Sequence, residues 1–318
     1  MKPKGRTRTE SLVCLLVALA TLMSPWDLWA QQTAGSESSG DDACLWVVPG
    51  KENLVFLGGS VHLLRKTDHP LPPAYAEAYE QSESVYFEVD LQEMQTPAFQ
   101  RKSAELTRLP EGQTLSEIIS EEVHSALRDF LTSRSLEAAA FEQMRPGMLA
   151  MVLSSVEAMR MGVQPQWGVE AKFDRQARKY GKPIHALETA AFQISLFAEM
   201  PMPQQEELLV MTLDQMDETG SVLEDMIDVW KKGDVEGLDE LLNKYFEEES
   251  FLTNALLYER NANWIPAIEK ELRAKDNVLI LVGAGHLVGE KSVIEMLQEK
   301  GHEPLLWRDW VAEAAQAP

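Results

Sequence analysis

The chain has 318 residues, with 29 basic against 51 acidic, a formal net charge of -22 at pH 7, and two cysteines. That length suits one large domain or two modest ones. So acidic a surface repels nucleic acid and anionic lipid headgroups, which argues against a nucleic-acid partner, and two cysteines are too few for a disulfide framework.

Lys2, Lys4, Arg6 and Arg8 form a basic start, Ser11 to Met23 is mostly apolar, Pro25 breaks the run, and Leu28-Trp29-Ala30 resembles a small-residue cleavage site. The pattern predicts a signal peptide over residues 1–30, cleaved near Ala30, and therefore a secreted or periplasmic protein. The apolar run is shorter than the roughly 20 residues a membrane span needs, so no stable span is expected. The alternative is a leader retained as an anchor, because Leu28 is larger than cleavage sites prefer. Cys14 follows Val13 inside the apolar run, which argues against a lipoprotein site. Removing the leader takes four basic and two acidic residues away and leaves 25 against 49, a net charge near -24, with Cys44 unable to form an internal disulfide.

Residues 31–42 are small and polar and read as a disordered linker, leaving 43–318 as a single domain. Cys44 to Val48 and Leu54 to Leu57 predict a β-hairpin around the turn Pro49 to Asn53. Asp68-His69-Pro70-Leu71-Pro72-Pro73 is a loop, with His69 taken as a surface residue. Ala74 to Gln81 reads as a short helix and Ser84 to Val89 as a strand. From about 114 to 273 the apolar spacing is helical, beginning with Leu115, Ile118, Ile119, Val123 and Leu127. Gly168 to Tyr180 reads as one of these helices, ended by Gly181, and Ile184 to Leu187 as a short strand. The chain closes with a strand Val278–Val282, a helix from about Gly289 to Lys300 and a strand Glu303 to Trp307, a β-α-β unit expected to cross over right-handed. Strands at both ends and helices between them predict an α/β fold (α+β in its segregation): one mixed sheet from the N- and C-terminal segments, covered by a large helical insertion.

Two apolar strands run into the same pattern, Gly59-Ser60-Val61-His62 and Gly283-Ala284-Gly285-His286. A third, Val85-Tyr86-Phe87, runs into Glu88. In α/β sheets, polar groups just past the carboxyl ends of strands gather in one crevice. Two imidazoles and a carboxylate there suit a divalent metal ion. Glycine at 59 and 283 would allow a sharp turn and close approach of a ligand. A lone histidine is more often structural than a ligand; two copies in one context shift the balance towards function. Asp90 is the rival to Glu88. Glu188 follows the short strand and either joins the site or caps the next helix. Arg260, beside Asn261, either orients a carboxylate and stabilises an oxyanion or makes a helix-surface ion pair. No Walker loop, dinucleotide fingerprint or His-Glu-x-x-His helix is present, and Ser60 lies in no nucleophile elbow.

Leu57 to Leu64, Asp68 to Pro72 and Phe87 to Asp90, followed in order by Leu187-Glu188-Thr189 with Gln193, Glu259-Arg260-Asn261 and Val282 to Gly289, resemble the blocks of the TraB/GumN family over about residues 44–307. That family is similar to the Tiki metalloproteases, which cleave secreted Wnt proteins. Its bacterial relatives include proteins that shut down peptide pheromone signalling, and erythromycin-esterase-like and haem-uptake (ChaN-like) proteins are more distant relatives. The resemblance implies a divalent ion (Mn, Co or Zn) held by His62, His286 and Glu88, catalytic roles for Glu88, Arg260 and Glu188, and a pocket that includes Gly59, Ser60, Gly283, Gly285 and Asn261. Val61 and Val89 are mild departures, and Glu170 stands where an aspartate is common. The expected activity is metal-dependent hydrolysis of a peptide or protein substrate. The alternative is a periplasmic protein that binds peptide or haem without turnover.

Overall fold

The computed structural model describes residues 42–216, 219–245 and 250–316. The leader and all but the last residue of the linker lie outside them. Six strands form one mixed sheet: β1 (Leu45–Pro49), β2 (Leu54–Ser60), β3 (Ser84–Phe87), β4 (Ile184–Ala186), β5 (Val278–Gly283) and β6 (Leu305–Leu306), in the order β4-β3-β5-β2-β1-β6. The hairpin β1–β2 is antiparallel, as its turn residues predict, while β2, β5, β3 and β4 run parallel. The fold is α/β.

All six residues of β5 are buried, and all but the first of β2. Continuous apolar runs such as Val278 to Val282 fit the interior strands of a parallel sheet, which carry no solvent face. The carboxyl ends of β2, β5, β3 and β4 therefore open side by side on one edge of the fold.

Helices α1 (Pro73–Glu80), α2 (Pro97–Thr107), α3 (Leu115–Ile118), α4 (Glu121–Ser133), α5 (Pro146–Arg160) and α6 (Val169–Tyr180) precede β4, and α7 (Ala190–Ala198), α8 (Met202–Gln215), α9 (Thr219–Lys231), α10 (Val235–Tyr245) and α11 (Glu259–Leu272) precede β5. Two apolar clusters result. One surrounds the sheet and takes in Trp230, Trp264 and Trp307; the other joins Val89 and Leu91 to α2, α4, α5, α7 and α8. Gly181 ends α6 at φ 72, a left-handed conformation that favours glycine.

Several details depart from the sequence expectations. The helical stretch starts at Pro97, before 114: Thr96 caps α2 by accepting from the Phe99 N–H, but only Phe99 and Leu106 on that helix are buried, so its apolar period is faint. The run from Leu115 to Leu127 is two helices, split where Ser120 caps α4. The C-terminal strand shrinks to Leu305–Leu306 and gives way to α13 (Trp307–Ala314), after α12 (Val293–Glu299). Strands β5 and β6 are not neighbours: β2 and β1 lie between them, and β6 pairs antiparallel with β1. His69 is half-buried, with Nε2 2.7 Å from the Trp167 carbonyl oxygen, rather than a surface residue.

Candidate active site

Each parallel strand delivers one polar side chain past its carboxyl end: His62 after β2, His286 after β5, Glu88 after β3 and Glu188 after β4. The alignment pairs Ser60 with Gly283 and Phe87 with both Leu281 and Ala186, so the four strands end almost level. Arg260 reaches the same place from the first turn of α11. A five-residue π-helix, Asn254–Tyr258, precedes it, and Arg260 Nη1 donates to the Leu256 carbonyl at 3.0 Å. Such π-turns release carbonyls from the regular ladder, and here the side chain takes one up.

Arg260 is 1% exposed and Glu88 4%. Arg260 Nη2 donates to Glu88 Oε2 at 2.6 Å, and its Nε and Nη2 reach Glu188 at 3.0–3.1 Å. Gln193 Nε2 donates to Glu88 at 2.9 Å and Glu188 at 3.1 Å, and Trp264 Nε1 donates to Glu188 at 2.9 Å. Glu88 Oε1 accepts from the Gly283 N–H at 2.7 Å. Burial on its own would push the Glu88 carboxyl up, but Arg260 and this N–H help hold it well below the usual carboxylate range. Glu188 is not the helix cap: Thr189 caps α7, accepting from the Phe192 N–H. Asp90, the rival, pairs with Arg178 instead.

The two imidazoles converge. His62 Nε2 lies 3.9 Å and His286 Nε2 3.8 Å from the same Glu88 oxygen, Oε1. Both Nδ1 atoms are backed by side chains, but by different chemistry. His286 Nδ1 lies 2.6 Å from Asn261 Oδ1, and Asn261 in turn donates to the Lys291 carbonyl at 2.9 Å. His62 Nδ1 lies 2.7 Å from Glu170 Oε1. The Trp264 ring lies against His286, centroids 4.4 Å apart. Burial first, then Arg260, pushes His286 down to about 3, so its ring is neutral at physiological pH. Burial also opposes charge on His62, yet Glu170 and then Glu88 outweigh it and raise its pKa.

The predicted residues thus meet as follows. His286, Glu88, Glu188, Arg260 and Asn261 form one hydrogen-bonded cluster with the Gly283 N–H; His62 lies beside it, 3.9 Å from Glu88 and 2.7 Å from Glu170, which accepts from Ser60. Gly59 and Gly283 do not make the sharp turns expected. Gly59 is a β2 residue whose missing side chain admits Ala284, with 3.0 Å from an added Cβ to the alanine Cβ, so it serves packing rather than a ligand. Gly283 has φ -49, open to any residue. Gly285 has room for a side chain against Leu242. Sequence reasoning left out Glu170 and Trp264 as site members and quoted Gln193 only within a block.

Two imidazoles and a carboxylate, with a side-chain oxygen close behind each ring, are a donor set that suits a divalent cation. The spacing is wider than a loaded site: ligands about 2.1 Å from a tetrahedral ion lie about 3.4 Å apart. Arg260 Nη1 also sits 3.1 Å from His286 Nε2. Among the described residues no group of three or more His, Cys, Asp or Glu has metal-holding geometry. The donor types suit a divalent cation, but in this arrangement Arg260 Nη1 is the partner of His286 Nε2.

The sequence profile of the TraB/PrgY/gumN family matches residues 44–304. The chain belongs to this family. The chain is similar to the Escherichia coli (strain K12) protein YbaP, described as uncharacterized, 26% identical over 253 residues that cover 79% of this chain and 90% of YbaP. The Shigella flexneri YbaP is equally similar. A metalloprotease TIKI homolog of Amphimedon queenslandica is 25% identical over 187 residues, 51% of this chain and 37% of that protein. No solved structure matches this TraB/PrgY/gumN chain at significance.

Proposed function

We propose that the protein is an exported, divalent-metal-dependent hydrolase that cleaves a peptide bond in a peptide or protein substrate. The observation that carries this reading is the convergence of His62 Nε2 and His286 Nε2 on one Glu88 oxygen, with a side-chain oxygen 2.6–2.7 Å from each Nδ1. The distant likeness to a metalloprotease homolog supports the direction. His62, His286 and Glu88 would hold the ion. When bound, it would acidify a water and polarise the scissile carbonyl.

The remaining work falls to the chain. Glu88 is held too acidic to serve as a strong base at neutral pH, so its part is that of an anionic ligand. Arg260 is kept flat against two carboxylates, and its Nη1, once turned from His286, is a donor for the oxyanion that forms at the carbonyl. Glu188 accepts from Arg260, Gln193 and Trp264, which fits a group that positions Arg260 better than one that gives up a proton.

The test uses the purified protein, a mixed peptide library, Mn²⁺ or Co²⁺, and mass spectrometry with and without chelator. Chelator-sensitive cleavage that disappears in Glu88→Gln supports the hydrolase. Peptides retained intact, with no chelator-sensitive product, would point to the other reading, a protein that captures peptide or a haem-like ligand without turnover.

A further inference from the structure

Helix α6 approaches the first histidine loop unusually closely. A Cβ built on Gly168 would fall 2.2 Å from the carbonyl oxygen of His62, and the Val169 N–H donates to the Val61 carbonyl at 3.2 Å. The first turn of α6 is therefore seated on the backbone of the His62 loop. This places Glu170 beneath the ring. The carboxylate is 4% exposed and accepts from Ser60 Oγ, which itself ends β2. Its Oε1 is 2.7 Å from His62 Nδ1, while Oε2 is buried with no partner. His62 Nδ1 is likewise buried and has no other polar partner, so the 2.7 Å approach to Oε1 is a close polar contact that pairs the two groups with each other. Position within the first turn also favours a carboxylate, since the helix N-terminus carries partial positive charge.

A buried carboxylate needs partners; Ser60 Oγ supplies one, and the His62 imidazole is the other polar group in contact with it. With Nδ1 protonated, Nε2 is left bare and faces Glu88. The two histidines are thus backed differently: a neutral amide oxygen behind His286, a carboxylate behind His62. The carboxylate cannot donate a hydrogen bond when ionised, so it admits only one tautomer; an amide could turn its NH₂ to Nδ1 and admit the other.

We propose that Glu170 is the positioning residue of the site: together with Ser60 it holds His62 in the one tautomer and ring orientation that present Nε2 to the cation. This rests on the metal-site reading above. Loss of such a partner typically weakens metal binding roughly 10–100-fold.

The experiment compares wild type, Glu170→Gln and Glu170→Asp as full-length, ¹⁵N-histidine-labelled protein. Metal-free spectra at alkaline pH, where the ring is neutral, report the His62 tautomer, assigned through His62→Asn. Co²⁺ titration followed by absorbance reports affinity, and thermal melting reports folding. Wild type should show only the Nδ1–H form. Glu170→Gln should show both tautomers and a Co²⁺ Kd raised roughly 10–100-fold, with its melting temperature little changed. Glu170→Asp keeps the charge and should restore the single tautomer and most of the affinity. A Gln variant with one unchanged tautomer and unchanged Kd overturns the proposal, as does an Asp variant as impaired as Gln, which would mean side-chain size alone matters. If wild type binds no Co²⁺ at all, the metal-site reading fails, and the tautomer comparison still decides the role of Glu170.

Discussion

The Arg260 guanidinium meets the Glu88 carboxylate at 2.6 Å with both side chains almost wholly out of water. Arg260 also serves Glu188, the Leu256 carbonyl and His286 Nε2. Removing it leaves two buried carboxylates facing one another. The Arg260→Met variant is expected to lose about 3–5 kcal/mol of unfolding free energy. Urea titration measures this; a loss under about 1 kcal/mol would show that the pair is far better solvated than its burial implies.

Acid should destabilise the metal-free protein in a defined window. His286 is held down to about 3, whereas the unfolded ring titrates near 6.5. Between those values the unfolded chain takes up a proton that the folded chain refuses, so stability falls as pH falls, by up to about 1.4 kcal/mol per unit. Glu88, also depressed, adds a loss as pH drops through the carboxylate range. His62 has the opposite sign: its pKa is raised, so its contribution is complete below about 6.5 and fades as pH rises through the folded value. Urea midpoints across pH 4–9 with chelator present check this. The His286→Gln variant should flatten the slope between pH 6 and 4; an unchanged slope there would assign it to other groups.

Gly168→Ala tests the seat of α6. The backbone there, φ -57 and ψ 159, is open to alanine, so the whole effect is the collision with the His62 carbonyl. Such overpacking costs about 1–3 kcal/mol. The melting temperature should fall, and the His62 resonances should shift more than those of His302, which pairs with Glu269. Equal shifts at both would mean global loosening.

Cys44 should be chemically silent in the native state. Its thiol is fully buried, and burial first, then Asp234, pushes it up to about 12. In a Cys14→Ser chain, reaction with an aromatic disulfide reagent at pH 8 should run at the rate of unfolding and rise with urea. Fast reaction in native buffer would contradict the burial of Cys44, the residue before β1.

The sequence showed the sheet and most of the cluster for one reason. A parallel strand in a buried sheet is a continuous apolar run, and the first polar residue after it has to be accommodated at the crevice. His62, Glu88, His286 and Glu188 were therefore visible as interruptions. Arg260 was ambiguous because a helical arginine reads as a surface charge until its depth is known. Glu170 was hidden more thoroughly. It sits on a helix rich in charge, Lys172 to Lys179, where one more carboxylate carries no signal, and its partners Ser60 and His62 lie on a distant β2 segment. Helix α2 escaped notice because only two of its residues are buried, and α13 because Trp307, expected in a strand, begins a helix.

The position of β5 sets an order of assembly. It follows β1 to β4 in the chain, yet it lies at the middle of the sheet, with β3 on one flank and β2 on the other. A nascent chain that stops before Val278 has both of those edges open and none of the pairings that join its two halves, and closing so long a loop is slow. The cluster around Glu88, which takes in the Gly283 N–H, consequently forms only once Val278–Gly283 is in place, and a polypeptide that stops before Val278 would be left with a split sheet and an incomplete crevice.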